Sequence, residues 1–363
     1  MNESRAMLTL LAMLAVAGCG GTEMVSTDHD ELLPSYARPA SPPSDLTLVL
    51  LPKPTGGSSQ AHSINDSEEI AGTSGDMITR WTRAGTSWVP EQLSAGAGED
   101  INEAGTIVGT TGGNVILWRR DGTTEVVGAG YGIALDNSET TVVGSRPTLG
   151  ATAWVRNGNA WTPHVLQRFE SSATGINEVS GINDAGIIVG YSSNSSGIQH
   201  AVKWIPSTST PGEWDPAVPL DAAAGTTNSW AEDITGDEVV GGVWRCGPDG
   251  IFPCSSREAH HWTISGAAAA GGLGTADAWG MGVNSARYIV GAVFITARSS
   301  STAHAFVWSP GAAVIRDLGV PKGYNWSWAE SINNPVAGRS AKQIAGHVQT
   351  KAGVSTAALW ILQ

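Results

Sequence analysis

Apolar and polar positions alternate along this chain in a phrase that recurs seven times. An apolar residue meets a turn residue, a short polar gap follows, then two apolar residues and a Gly, and finally a Trp. Ile101-Asn102-Glu103-Ala104-Gly105-Thr106-Ile107-Val108-Gly109 with Trp118, and Ile182-Asn183-Asp184-Ala185-Gly186-Ile187-Ile188-Val189-Gly190 with Trp204, are the clearest copies. The glycines fall at Gly72, Gly109, Gly144, Gly190, Gly241, Gly291 and Gly346, a spacing of 35 to 55 residues that marks a repeat architecture. Asn and Asp bond their own nearby backbone and tolerate left-handed conformations, so Asn65, Asn102, Asp136, Asn183, Asn284 and Asn333 predict a hairpin turn between two strands, a and b.

A third strand, c, ends at the tryptophans: Trp81, Trp118, Trp154, Trp204, Trp262, Trp308 and Trp360. A polar turn such as Arg120-Asp121-Gly122-Thr123 leads to a fourth apolar stretch, d. Four short antiparallel strands repeated seven times predict an all-β, seven-bladed β-propeller, with the recurring Trp filling the wedge between blades. The boundaries read as blades at about 59–96, 97–129, 130–170, 171–223, 224–275, 276–320 and 321–363. Only Ile361, Leu362 and Gln363 follow Trp360, so the seventh blade lacks a d strand, whereas the run 46–52 precedes the first a strand and has no blade. Placing that run in the last blade closes the ring and removes the open sheet edges.

The segment before the repeats reads differently. Arg5, an apolar stretch from Ala6 to Val16 and the sequence Val16-Ala17-Gly18-Cys19 predict a lipoprotein signal peptide over 1–18, with acylation at Cys19. Residues 19–45, with Pro34, Pro39, Pro42 and Pro43, read as a disordered tether. Gly20 after the Cys resembles the pattern of outer-membrane lipoproteins, so the expected location is the bacterial cell envelope, on an outer-membrane lipid anchor facing either side. Cys246 and Cys254 are expected to form a disulfide in an exported protein, since their spacing with His260 and His261 fits no zinc pattern.

The phrases Ile182 to Gly190 with His200-Ala201-Val202-Lys203-Trp204, and His304-Ala305-Phe306-Val307-Trp308, resemble the HAF-repeat family of bacterial extracellular proteins. The resemblance spans about residues 59–363 and implies export and a propeller-like body. It implies no enzymatic activity, substrate or cofactor.

A formal charge of -13, spread thinly over a chain with 15% charged residues, lacks the basic footprint that nucleic acid requires. No G-x-S-x-G elbow, phosphate loop or H-E-x-x-H occurs, so no catalytic residue, metal or cofactor is expected. His62 and His347 could face the central channel; a pocket in which either meets a carboxylate within hydrogen-bond reach would favour an enzyme, and solvent-exposed or wedge-packed histidines would count against one.

Candidate chemistry concentrates instead on aromatics four positions before the a-strand apolar residue: Tyr131, Trp230, Trp279 and Trp328, with Trp326 nearby. These are expected in d-to-a loops, on the same face as the b-to-c loops, of which the longest (Trp244 to His261) holds both cysteines. The candidate ligand-binding set is Trp230, Trp244, Arg245, Asp249, Trp279, Arg298, Trp326 and Trp328. Indole rings on a rigid rim stack on sugar faces or anchor protein interfaces, and Asp and Arg hold hydroxyls. The expectation is a monomeric binding module for a glycan or envelope protein, touching the membrane only through its lipid. The alternatives are a propeller lyase or hydrolase acting on an extracellular polymer, and a scaffold without a specific ligand, in which the same rings cap the blade tops.

Overall fold

The computed structural model describes residues 45–54, 56–171, 175–220, 228–245, 256–265, 271–297, 300–337 and 342–363. The expected signal peptide, Cys19 and the tether up to residue 44 lie outside them, as do Cys246, Cys254, Asp249 and Arg298. Among the described residues every regular element is a strand, and the strands form seven antiparallel sheets of four. The molecule is a seven-bladed β-propeller. Each a strand packs against the a strands of both neighbouring blades, the first against the last, so the ring is closed.

Closure follows the route read from the ends of the chain. Leu46–Leu50 pairs antiparallel with Ser355–Leu362, placing Leu46 opposite Leu362 and Leu50 opposite Ala358. The segment is tied to three blades at once. Asp45 receives two hydrogen bonds from Arg316 of blade six, at 2.7 and 2.9 Å. The Leu51 amide donates to Ala357 O in blade seven at 2.9 Å, and Trp81 Nε1 of blade one donates to Pro52 O at 2.9 Å.

The Trp column does what its recurrence predicts. Each ring packs into the preceding blade: Trp81 against Ala357 and Leu359, Trp154 against Val108 and Leu117, Trp262 against Val189 and Ala201, Trp360 against Val290 and Val307. Trp81, Trp204 and Trp360 are fully buried. Burial of a large apolar side chain stabilises by roughly 1.5–3 kcal/mol, so the column is a major part of the adhesion between blades.

The Asn column has a second role that local sequence does not show. Asn65 Oδ1 accepts from the Glu69 amide across its own hairpin at 2.9 Å, while its Nδ2 donates to Asn102 O in the next blade at 3.0 Å. Asn284 repeats both bonds, to the Tyr288 amide and to Asn333 O, each at 3.0 Å. The following turn residue adds a chain of its own. The Asp66 amide donates to Glu103 Oε2 at 3.0 Å, the Glu103 amide to Asn137 Oδ1 at 2.9 Å, and the Asn137 amide to Asp184 Oδ1 at 3.1 Å. The Ser285 amide donates to Asn334 Oδ1 at 2.8 Å and the Asn334 amide to Asp66 Oδ1 at 2.7 Å. Blade five has Gly236 at this point and offers only its carbonyl, to Asn183 Nδ2 at 2.6 Å.

Candidate functional site

The end opposite these turns is shaped by a defect repeated in every blade. The a–b register slips by one residue at the same place, leaving His62, Glu99, Ile133, Ser180, Glu232, Met281 and Glu330 as the extra residue of a β-bulge. A bulge bends its strand and re-aims side chains. It also explains the glycine column. A Cβ built on Gly241, Gly291 or Gly346 would lie 1.9, 1.9 or 2.0 Å from the carbonyl oxygen of Trp230, Trp279 or Trp328. None of the seven glycines has a positive φ, so the requirement is steric and not conformational.

The residues whose carbonyls press on the glycines include the four aromatics singled out in the sequence. They were expected in loops, and the structure corrects this. Tyr131 opens its a strand, while Trp230, Trp279 and Trp328 stand inside Asn228–Thr235, Ala278–Val283 and Trp326–Ile332. The extra residue shifts the phase of the alternation, which is why the upstream half of each strand does not continue the pattern of the Ile-Asn half. The long b-to-c connection of blade five is likewise shorter than expected, because its strands run on to Arg245 and resume at Ser256.

Three of the predicted residues come together. Trp230 stacks on Trp279 across the boundary of blades five and six, with ring centroids 5.6 Å apart and planes 24° apart, and meets Trp244 edge-on at 5.7 Å. Trp279 Nε1 donates to the bulge residue Glu232 at 3.1 Å, and Trp230 Nε1 donates to Gln199 of blade four. All three rings are half-buried. Trp328 differs: it is 4% exposed, packs on Ala292 and Ala303, and has one ring face covered by His347 at 4.8 Å and 19°. Trp326 is half-buried beside that cluster. Arg245 ends its strand opposite Ser256.

Two residues that the sequence reading passed over complete the group. Arg257 lies directly across from Trp244 in the blade-five sheet. Its guanidinium carbon sits 4.9 Å from the Trp244 ring centroid and 5.1 Å from that of Phe294 in blade six. Phe294 was findable, since it stands three residues after Gly291 as Trp244 stands three after Gly241. Arg257 was not, because its register with Trp244 passes through the connection at 246–255.

Four of the histidines fall into two classes. His304 pairs with Asp317 inside its blade at 2.9 Å, and His200 meets Phe169 edge-on at 5.4 Å, consistent with packing roles. His62 Nδ1 lies 3.3 Å from Glu99 Oε2 of the next blade, and His347 Nδ1 lies 3.4 Å from Glu330 Oε1. Three of these four residues, His62, Glu99 and Glu330, are bulge residues of the contiguous blades seven, one and two. Among the described residues no group of three or more His, Cys, Asp or Glu is arranged to hold a metal ion.

Neither a protein-family model nor a curated protein matches the sequence. Among solved structures, the chain is similar to the β-propeller domain of the Trilobed protease from Pyrococcus furiosus, with a TM-score of 0.50 and 10% identity over 84% of this chain and 94% of that one. The β-propeller domain of Cps50 (Swd1) from Myceliophthora thermophila matches at a TM-score of 0.48 and 12% identity, over 87% of this chain and 98% of that one. The Pyrococcus domain is described as having an open velcro topology, whereas here Leu46–Leu50 completes the last blade. At such identities the likeness is one of fold: the chain is a seven-bladed β-propeller.

Proposed function

We propose that this chain is an exported binding module that holds a glycan on the aromatic rim of blades five and six. The observation that carries the reading is the half-buried array of Trp230, Trp244, Trp279 and Phe294, which recurs in none of blades one, two and four. Where those blades have the position of Trp230 they carry Gln60, Ala97 and Glu178. Trp230 and Trp279 face each other across one blade boundary and stay half-buried, unlike the fully buried strand-c rings Trp81, Trp204 and Trp360, and indole faces suit the apolar faces of sugars. Trp279→Ala should abolish retention on a glycan or cell-envelope fraction while moving the melting temperature little. A loss of stability equal to that of a buried Trp would instead assign the rings to capping.

Export and anchoring belong to the same proposal, supported by the sequence from Arg5 to Cys19 and by the resemblance to HAF-repeat proteins. Cys19→Ser should release the protein from membranes, and continued membrane association would overturn the anchor. An envelope protein is the other ligand class that an aromatic rim fits.

A second reading is favoured by the His62–Glu99 pair, which places a base 3.3 Å from a carboxylate at the bulge level, whereas His347 is packed on Trp328. The pair supports a hydrolase or lyase acting on an extracellular polymer. Release of fragments from a bound polymer, lost in His62→Gln, would establish this reading. A polymer that is bound and left intact would refute it.

A further inference from the structure

Among the described residues Arg257 has no partner for its charge. Its guanidinium lies between the Trp244 and Phe294 rings, at 4.9 and 5.1 Å from their centroids. Among the described residues no carboxylate comes within ion-pairing distance of it. Asp277, whose charge acts on the guanidinium, is engaged with the backbone of Arg257: the Arg257 amide donates to Asp277 Oδ1 at 3.4 Å, and the Asp277 amide donates to Arg257 O at 2.6 Å. Burial pushes the guanidinium below its ordinary range, with the Asp277 charge only partly opposing this. A half-buried cation is normally paired, since its desolvation otherwise goes uncompensated. The guanidinium lies over two aromatic rings, and its planar fork of N–H donors matches a carboxylate or sulfate two at a time.

The stacked pair Trp230–Trp279 lies next to this sandwich, joined to it through the Trp230–Trp244 contact. The site therefore combines flat apolar faces with one half-buried cation, whereas the Glu232 carboxylate beside the stacked pair is occupied by Trp279 Nε1 at 3.1 Å. We infer that Arg257 is the specificity-determining residue of the rim and that the ligand is an acidic glycan, whose carboxylate or sulfate it receives while the indoles take the sugar faces. The inference rests on the glycan-binding reading above and narrows its ligand class. The chain's charge of -13 does not stand against it, because charges farther than a Debye length of about 8–10 Å are largely screened at physiological salt.

The test is calorimetric titration of the full chain with three probes: an oligogalacturonate, the same oligosaccharide with its carboxyl groups reduced, and a sulfated neutral oligosaccharide. One anionic probe should bind about 10- to 100-fold tighter than the reduced one, the range expected for hydrogen bonds to a charged group. The anionic probe that does so identifies the group recognised. Arg257→Gln should bring the anionic affinity down to that of the reduced probe and leave the latter unchanged. Arg257→Lys keeps the charge without the planar fork and should retain a preference of only a few-fold, which keeps the test decisive if the Gln variant folds poorly. Equal binding of reduced and anionic probes by the native chain would overturn the role of Arg257 while leaving the glycan rim standing. Binding of none of the three would overturn both.

Discussion

Gly241 and Gly242 are adjacent in one strand, and the structure assigns them opposite tolerances. A Cβ on Gly241 would lie 1.9 Å from Trp230 O and 3.0 Å from Ala231 Cα, both backbone atoms that cannot swing aside. A Cβ on Gly242 would meet nothing nearer than Glu258 O at 3.9 Å. To reach ordinary contact, Gly241→Ala must push strands a and b of blade five apart by more than an ångström, which breaks ladder hydrogen bonds and shifts the bulge at Glu232. Overpacking costs typically 1–3 kcal/mol where side chains can move, so a backbone collision should cost about 3 kcal/mol or more. Gly242→Ala should be neutral or stabilise by about 0.4–1 kcal/mol, through the reduced freedom of the unfolded chain. For a body of this size 1 kcal/mol is worth roughly 2 °C or somewhat more, so the two variants should melt at least about 6 °C apart. Thermal melts followed by circular dichroism, with urea titrations to check that the m-value is unchanged, measure the difference. Equal melting temperatures would refute the account of the glycine column, since composition, strand and burial are matched and only the Trp230 carbonyl differs.

Further outcomes follow from the same geometry. Trp328→Ala, which empties a site only 4% exposed, should destabilise by about 3–5 kcal/mol and Trp279→Ala by less than half of that; equal urea midpoints would show that Trp279 is a core residue. The Glu103 carboxyl, flanked by Asp66, Asp100 and Asp184, is pushed from 4.5 up to about 7, first by desolvation against the neighbouring turns and then by the Asp66 charge, although the residue as a whole stays exposed. Its proton is therefore held more tightly in the folded state, so the associated stability is full below about pH 4.5 and lost as pH rises through 7. Because solvent screens this side chain, the slope should amount to no more than about 1 kcal/mol, and Glu103→Gln should flatten that part of the pH–stability curve. Deleting residues 46–52 removes the strand opposite Ser355–Leu362 and the Pro52 acceptor of Trp81, leaving an open edge. Size-exclusion chromatography should then show aggregates, and a stable monomer would refute the closure.

How much of this was legible depends on the range of the interactions. The seven Gly-to-Trp phrases, the four-strand unit and the completion of the last blade by residues 46–52 are local or arithmetical, and they could be read because each blade repeats the same period. The identity of the glycines was visible, but their reason was not: Gly241 is constrained by the carbonyl of Trp230, eleven residues away, and only pairing with a bulged strand brings the two together. The same bulges hid the true position of Trp230, Trp279 and Trp328, which the broken alternation made look like loop residues. They also hid the difference between Trp279, half-buried on the rim, and Trp328, covered by His347.

The sequence by itself determined that this chain makes seven like units and that its two ends share one of them, because hydrophobic period and turn chemistry act within a few residues. Which side chains meet was decided by the tertiary structure alone. Ring closure and strand register carry Trp230 to Trp279, Arg257 between Trp244 and Phe294, and His62 to Glu99, through contacts across blade boundaries that no local pattern encodes.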